Sequence, residues 1–158
     1  MLSIQISDIK DFMSHLLSKD TFDHFYFIEA SIKMGVSYQI QGRINEGFYD
    51  TSVEQTLNRE FCYWKEIRHR IFDIIKGKRL PLSCKIVLGL SKQSISYLIA
   101  HNNSSFREED IEGIYVNILY DPKNLLITTG ISYKNFSLDK SLEYAFDEYL
   151  VKFLKEKA

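Results

Sequence analysis

Residues 82–100 read "LSCKIVLGLSKQSISYLIA", and residues 2–17 read "LSIQISDIKDFMSHLL". The two stretches share a plan. In the earlier one, Leu2, Ile4 and Ile6 alternate with polar residues, the period of a half-buried strand. In the later one, "LSCKIVLGL" is a strand run ahead of Ser91. Each then meets a helix-capping residue, Ser7 or Asp8 in one and Ser91 in the other. Apolar residues come next at helical spacing: Ile9, Phe12, Met13, Leu16 and Leu17, then Ile95, Leu98 and Ile99. A strand passing into an amphipathic helix is thus expected twice, near 2–6 with 8–18 and near 82–90 with 91–101.

The segments after the two copies are also similar. "FYFIEASIKM" and "VSYQIQGRI" are β-rich runs parted by a turn at 34–35. "IYVNILY" and "LLITTGISY" are strands joined by "DPKN", with Pro122 at the favoured turn position. A short extra strand is expected near Phe48 and Tyr49, and another at "NFSL", 135–138. Asp50, Thr51 or Ser52 is a candidate start for a helical region strongest at 60–76, where Phe61, Trp64, Ile67, Ile71, Ile74 and Ile75 form a stripe. Gly77 and Pro81 stop it. "HNNSSFREEDIEG" is loop-like with one helical turn at 106–111. Asp139 opens a last helix carrying Leu142, Ala145, Phe146, Tyr149, Leu150, Phe153 and Leu154 on one face.

The order is therefore β-α-β-β-(β)-α, twice, with the break at the chain midpoint. Leu2, Ser3 and Ile6 match Leu82, Ser83 and Ile86 at one offset, and Gly42 and Phe48 match Gly130 and Phe136 at another. The expected fold is α+β: one domain of two structural repeats, about 1–78 and 81–158, related by a pseudo-two-fold. Strands from both halves share a sheet system with helices on one face.

Bulk properties agree with a globular chain. The 158 residues suit one domain, with 45 % hydrophobic and 26 % charged residues. A net charge of −1 gives no global basic field for nucleic acid. Cys62 and Cys84, without a CxxC, read as free thiols of a reducing cytoplasm. "MLSIQISDIKDF" is unlike a signal peptide, and no run nears the roughly 18 apolar residues of a membrane span. A cytoplasmic protein without membrane contact is expected.

The stretches "SDIKDFMSHLLSKDTFD", "YWKEIR…IKGKRLPLSCKIVLGLS" and "YDPKNLLITTGISYKNFSLDKSLE" resemble a family of small bacterial proteins of unknown function, which implies no site residue. The half-repeat is also similar in plan to the DNA sliding clamp, through "LSCKIVLGLSKQSISYLIA" and "IYVNILYDPKNLLITTGISYKNFSL". That resemblance implies inner helices that hold duplex DNA through phosphate contacts. The corresponding basic residues are Lys10, His15, Lys19, Lys92 and His101, with Asp8, Asp11 and Asp20 offsetting them. The helices at 60–76 and 139–156 depart from the clamp unit.

The densest basic cluster is Lys65, Arg68, Arg70, Lys76, Lys78 and Arg79, with Tyr63, Trp64 and His69 interleaved. It is a candidate anion or nucleic-acid patch, although Arg68 and Arg70 fall about 200° apart on a helix. Lys76, Lys78 and Arg79 also suit a helix C-terminus as such. His15, His24, His69 and His101 show no metal-pair spacing. No nucleophile elbow or phosphate loop occurs, Lys85 points away from Cys84 on a strand, and "REED" at 107–110 lacks the glycine turn of a calcium loop. No catalytic residue, metal or cofactor is expected. Tyr26 and Tyr38 are expected to project from the sheet face opposite their apolar neighbours.

Two functions are compatible with these residues. One is a non-enzymatic binding or assembly protein, with itself or another protein as partner through helices or a sheet edge. The other is a small-molecule binder or enzyme with a pocket between the halves, lined by Tyr38, His24 and the 103–112 loop.

Overall fold

The computed structural model describes residues 2–49 and 59–157. Its strands are β1 (Ser3–Gln5), β2 (Tyr26–Lys33), β3 (Ser37–Gln41), β4 (Ser83–Gly89), β5 (Ile111–Tyr120) and β6 (Leu125–Tyr133). The α-helices among the described residues are α1 (Ile9–Leu17), α2 (Trp64–Ile75), α3 (Lys92–His101) and α4 (Ser141–Lys157). Short 3₁₀ turns lie at Glu46–Phe48 and Glu108–Asp110. The fold is α+β.

All six strands form one antiparallel sheet in the order β1-β6-β5-β4-β2-β3. Strand alternation sends one set of side chains to the helices. Ile40, Ala30, Ile86, Ile118, Ile127 and Ile4 are consecutive cross-strand partners, making an aliphatic row across the whole sheet. The helices bury Phe12, Leu16, Trp64, Ile71, Leu98, Phe146 and Leu150 in the same hydrophobic cluster as that row's Ala30, Ile86, Ile118 and Ile127. The other sheet face carries Gln39, Ser31, Lys85, Leu119, Leu126 and Gln5 in one row, all half-buried or exposed.

Local chemistry sets the helix ends. The Asp8 carboxylate accepts from the Asp11 N–H at 3.0 Å, and Ser91 Oγ accepts from the Ser94 N–H at 3.2 Å. Asp139 accepts from the Ser141 N–H at 2.9 Å where α4 begins. Gly77, at φ 148°, takes a left-handed conformation just past α2 that a side chain would resist.

Four expectations need correction. The helix over 60–76 starts only at Trp64. Residues 60–62 are extended, because Cys62 accepts from the Phe27 N–H at 2.8 Å, Cys62 N–H donates to Gly42 at 2.9 Å and Ile44 N–H donates to Glu60 at 2.9 Å. The strand expected near Phe48 is a 3₁₀ turn. "NFSL" forms no strand, and Phe136 and Leu138 point into solvent, 89 % and 82 % exposed. Tyr38 lies on the helix side, opposite Ile32, whereas Tyr26, opposite Gly89, does project from the other face. The expected helix start at 50–52 lies outside the described residues.

The element order recurs in the two halves, as do the hairpins β2–β3 and β5–β6. The pairings of the leading strands differ: β4 lies between β2 and β5, whereas β1 lies at the sheet edge beside β6.

Candidate functional site

Beside the ends of β2 and β4, the extended segment 59–63 continues the sheet. Its backbone bonds to 25–27 on one side and 42–44 on the other, and its Phe61 and Tyr63 rings gather with Tyr26 on the polar face. Tyr26 pairs across a single bridge with Tyr63, and Arg43 with Phe61. The Tyr26 ring lies 5.3 Å from that of Tyr63 and 6.3 Å from that of Phe61. The guanidinium of Arg43 covers Phe61 at 5.1 Å, and that of Arg59 covers Tyr63 at 4.6 Å. Gly89 and Gly113 supply no side chain here, and a Cβ at Gly113 would stand 2.2 Å from the Tyr115 hydroxyl.

This aromatic ledge borders a cleft of about 700 Å³ that is walled by the second half, with Lys92, Ile95, Arg107, Glu112 and Lys134 among its lining residues, and reached from the first half only by Glu60. Lys92 opens α3, Arg107 precedes the 3₁₀ turn at Glu108–Asp110, and Lys134 follows β6. The cleft mixes signs. Glu60 is paired with Arg43, Arg107 reaches Glu109 at 3.5 Å, and Glu112 accepts from Ser132 Oγ at 2.8 Å.

Burial pushes the phenols of Tyr26 and Tyr115 above their ordinary range, and neighbouring Tyr63 and Glu112 respectively add to it. Tyr26 accepts a hydrogen bond from the Lys92 backbone N–H, which opposes that rise. Both phenols are neutral donors at neutral pH. Burial alone would raise the Glu66 carboxyl, but two bonds from Arg59, at 2.9 and 2.6 Å, and one from the Tyr63 N–H, at 2.8 Å, hold it below the usual carboxylate range. Arg59 and Arg43 are thereby committed to carboxylates. Among the described residues no group of three His, Cys, Asp or Glu is placed to hold a metal ion.

The basic cluster on and after α2 is divided rather than assembled. Arg68 donates from Nε and Nη2 to the two Asp23 oxygens at 2.7 and 3.3 Å, and from Nη1 to the Leu17 carbonyl at 3.4 Å. It ties α2 to the loop after α1 and offers no free fork to an anion. Lys76 pairs with Asp73 at 3.1 Å, and Lys65 covers the Tyr63 ring at 5.7 Å. Arg70, Lys78 and Arg79 are exposed. Of the inner-helix residues, Lys10 is exposed on α1, Lys19 lies 3.5 Å from His15, and Lys92 lines the cleft.

Tyr38 and His24 do not line the cleft; the 103–112 loop does, through Arg107, Glu108, Glu109, Ile111 and Glu112. Sequence reasoning did not single out Glu60, Glu112, Tyr115 or Lys134. The alternation of β5 could have placed Tyr115 away from Ile114, Val116 and Ile118. Glu112 shares their parity and escapes the core only through the irregularity at Ile111–Gly113, and nothing local reveals that 59–63 pairs there.

A second surface is the outer edge of β3, which no described residue pairs with. Gly42 N–H donates to Ile28 and Met34 N–H to Val36, at 2.8 and 3.0 Å. With the register Ala30–Ile40 and Ile32–Tyr38, these bonds turn the backbone groups of Tyr38 and Ile40 toward β2. The N–H and C=O groups of Ser37, Gln39 and Gln41 therefore point outward. Val36 and Tyr38 are 65 % and 38 % exposed along the same edge.

A family model described as a family of unknown function (DUF5721) matches residues 15–158, so the chain belongs to that family. No curated protein and no solved structure matches it.

Proposed function

We propose that this protein is a non-enzymatic binding or assembly protein that receives a partner's strand along the outer edge of β3. One observation carries the reading. Ser37, Gln39 and Gln41 hold three donors and three acceptors outward on a strand without proline, charge or bulge. Edge strands that must stay single normally carry such protection. Strand addition satisfies those groups, and side chains on alternate faces select the partner. The recurring β-α-β-β order of elements supports a clamp-like plan, in which edge pairing also builds the assembly, although β1 and β4 pair differently in the sheet.

The test is fluorescence anisotropy with a labelled nine-residue peptide of alternating threonine and valine, unlike β3 in sequence, as the probe strand. Gln39→Pro removes one outward N–H and leaves the β2–β3 ladder intact, since that N–H does not face β2. Binding by the native chain that Gln39→Pro weakens about tenfold or more supports the edge reading. Equal binding by both, or by neither, overturns it.

The cleft favours a second reading, as a small-molecule binder. Its size suits a metabolite, and Tyr26, Phe61 and Tyr115 offer apolar contact beside Lys92 and Glu112. A thermal-shift screen of metabolites joining an aromatic ring to charged groups tests it. A hit whose shift disappears in Tyr115→Ala supports this reading; an unchanged midpoint across the screen removes it.

A further inference from the structure

We infer that the strand received by β3 is the β3 of a second copy of this chain, paired antiparallel about Gln39, so that two six-stranded sheets become one of twelve. The inference rests on the edge reading above and names its partner. Three features of "SYQIQ", Ser37–Gln41, carry it.

The first is parity. A two-fold through Gln39 sets Gln39 opposite Gln39 of the second copy and Ser37 opposite its Gln41. All three are residues whose backbone groups face outward. In an antiparallel ladder each such pair exchanges two bonds, so about six bonds form and every outward donor and acceptor of the strand is used. Shifting the register by one residue would oppose outward groups to residues whose groups already serve β2.

The second is the match of the faces. The same register sets Tyr38 against Ile40 of the second copy, twice, on the side facing the helices. Tyr38 is 38 % exposed and Ile40 half-buried in the single chain. An aromatic ring beside a β-branched residue is a favourable cross-strand pair. On the other side Ser37, Gln39 and Gln41 meet their own kind as hydrogen-bonding neutral side chains.

The third is charge. No residue of β3 is charged, so the two-fold sets no like charges opposite each other. A net charge of −1 adds almost no repulsion between copies. Five residues a side cover less than the roughly 1,200 Å² of a stable interface, so the dimer is concentration-dependent, with a Kd in the micromolar range.

Light scattering of the full chain from about 5 to 500 µM brackets such a Kd. The expected mass rises from 18.6 kDa toward twice that value. Gln39→Pro stays monomeric across the range. Gln39→Lys and Gln39→Glu each weaken the dimer about fivefold, because like charges then face each other at the two-fold. Their equimolar mixture restores it, an outcome specific to this register that does not depend on the proline variant folding.

A native chain monomeric at every concentration overturns the second copy as partner, and the peptide titration still decides the edge on its own. A dimer that Gln39→Pro leaves intact overturns both readings. Lys and Glu variants that fail to recover on mixing overturn the register.

Discussion

Arg68 illustrates how a residue that reads as functional in sequence is absorbed by structure. Its guanidinium and the Asp23 carboxylate are only 12 % and 14 % exposed, and its third nitrogen serves the Leu17 carbonyl. Removing one member of a pair this sheltered leaves the other without a counter-charge. Arg68→Ala is expected to cost about 2–3 kcal/mol in urea unfolding, the range of hydrogen bonds to charged groups. Arg70→Ala, at an exposed site, should change stability by less than about 0.5 kcal/mol. Equal effects at the two positions would show that the Asp23 tie is not structural.

Cys84 gives a pH prediction at the same scale. It is 3 % exposed, and burial pushes its thiol from the ordinary 9.0 up to about 12. The folded protein therefore holds this thiol neutral where the unfolded chain would ionise it. That contribution to stability is complete below pH 9 and is lost as pH rises toward 12. Cys62, pushed to about 11 by burial and by Glu66, acts in the same direction. The urea midpoint should fall steadily above pH 9, and the fall should shrink in Cys84→Ala relative to that variant's own value at pH 8. In the folded state Cys84 should resist maleimide at pH 7.5, since thiolate is the reacting form.

Among the elements, those with a strong period were legible in the sequence. The runs at 83–89, 111–120 and 125–133 alternate or are continuously apolar, and α1, α3 and α4 announce themselves through Asp8, Ser91 and Asp139. The misreadings have local causes. Phe61 stands three residues before Trp64, so it fits a helical stripe, yet the backbone of 60–62 is taken by Phe27, Gly42 and Ile44. Phe136 and Leu138 alternate as a strand would, but both side chains stand in solvent and their backbone joins no ladder. The cleft was the least legible feature, because β5, α3 and segment 59–63 meet through tertiary pairing that no sequence window contains. Gly42 marks that meeting. A Cβ there would stand 1.9 Å from the Phe27 carbonyl oxygen and 2.7 Å from its ring. Gly42→Ala is expected to cost about 3 kcal/mol and to separate segment 59–63 from β2. Faster amide exchange at Phe27 and Cys62, whose N–H groups bond across that contact, would report it; unchanged protection would mean that the strands close around an added methyl.

For the whole molecule, the strand order makes the halves unequal partners. The second half keeps β4, β5 and β6 as adjacent strands, with α3 and α4 to cover them. The first half keeps only the β2–β3 hairpin, because β1 pairs with β6 and the inner edge of β2 pairs with β4. A two-stranded hairpin is marginal alone, whereas three strands packed on helices approach an independently stable unit. Residues 1–78 expressed alone should therefore show no cooperative unfolding, while residues 81–158 should retain strand and helix signals in far-UV circular dichroism. In the intact chain Trp64, the single tryptophan, reports on the first half from a fully buried position. Its fluorescence transition in urea should coincide with the circular dichroism transition, since the first half is held by pairings made with the second. A tryptophan transition well ahead of the other, or a cooperative one in residues 1–78 alone, would mean that each half folds by itself and that the shared sheet is a later docking of two units.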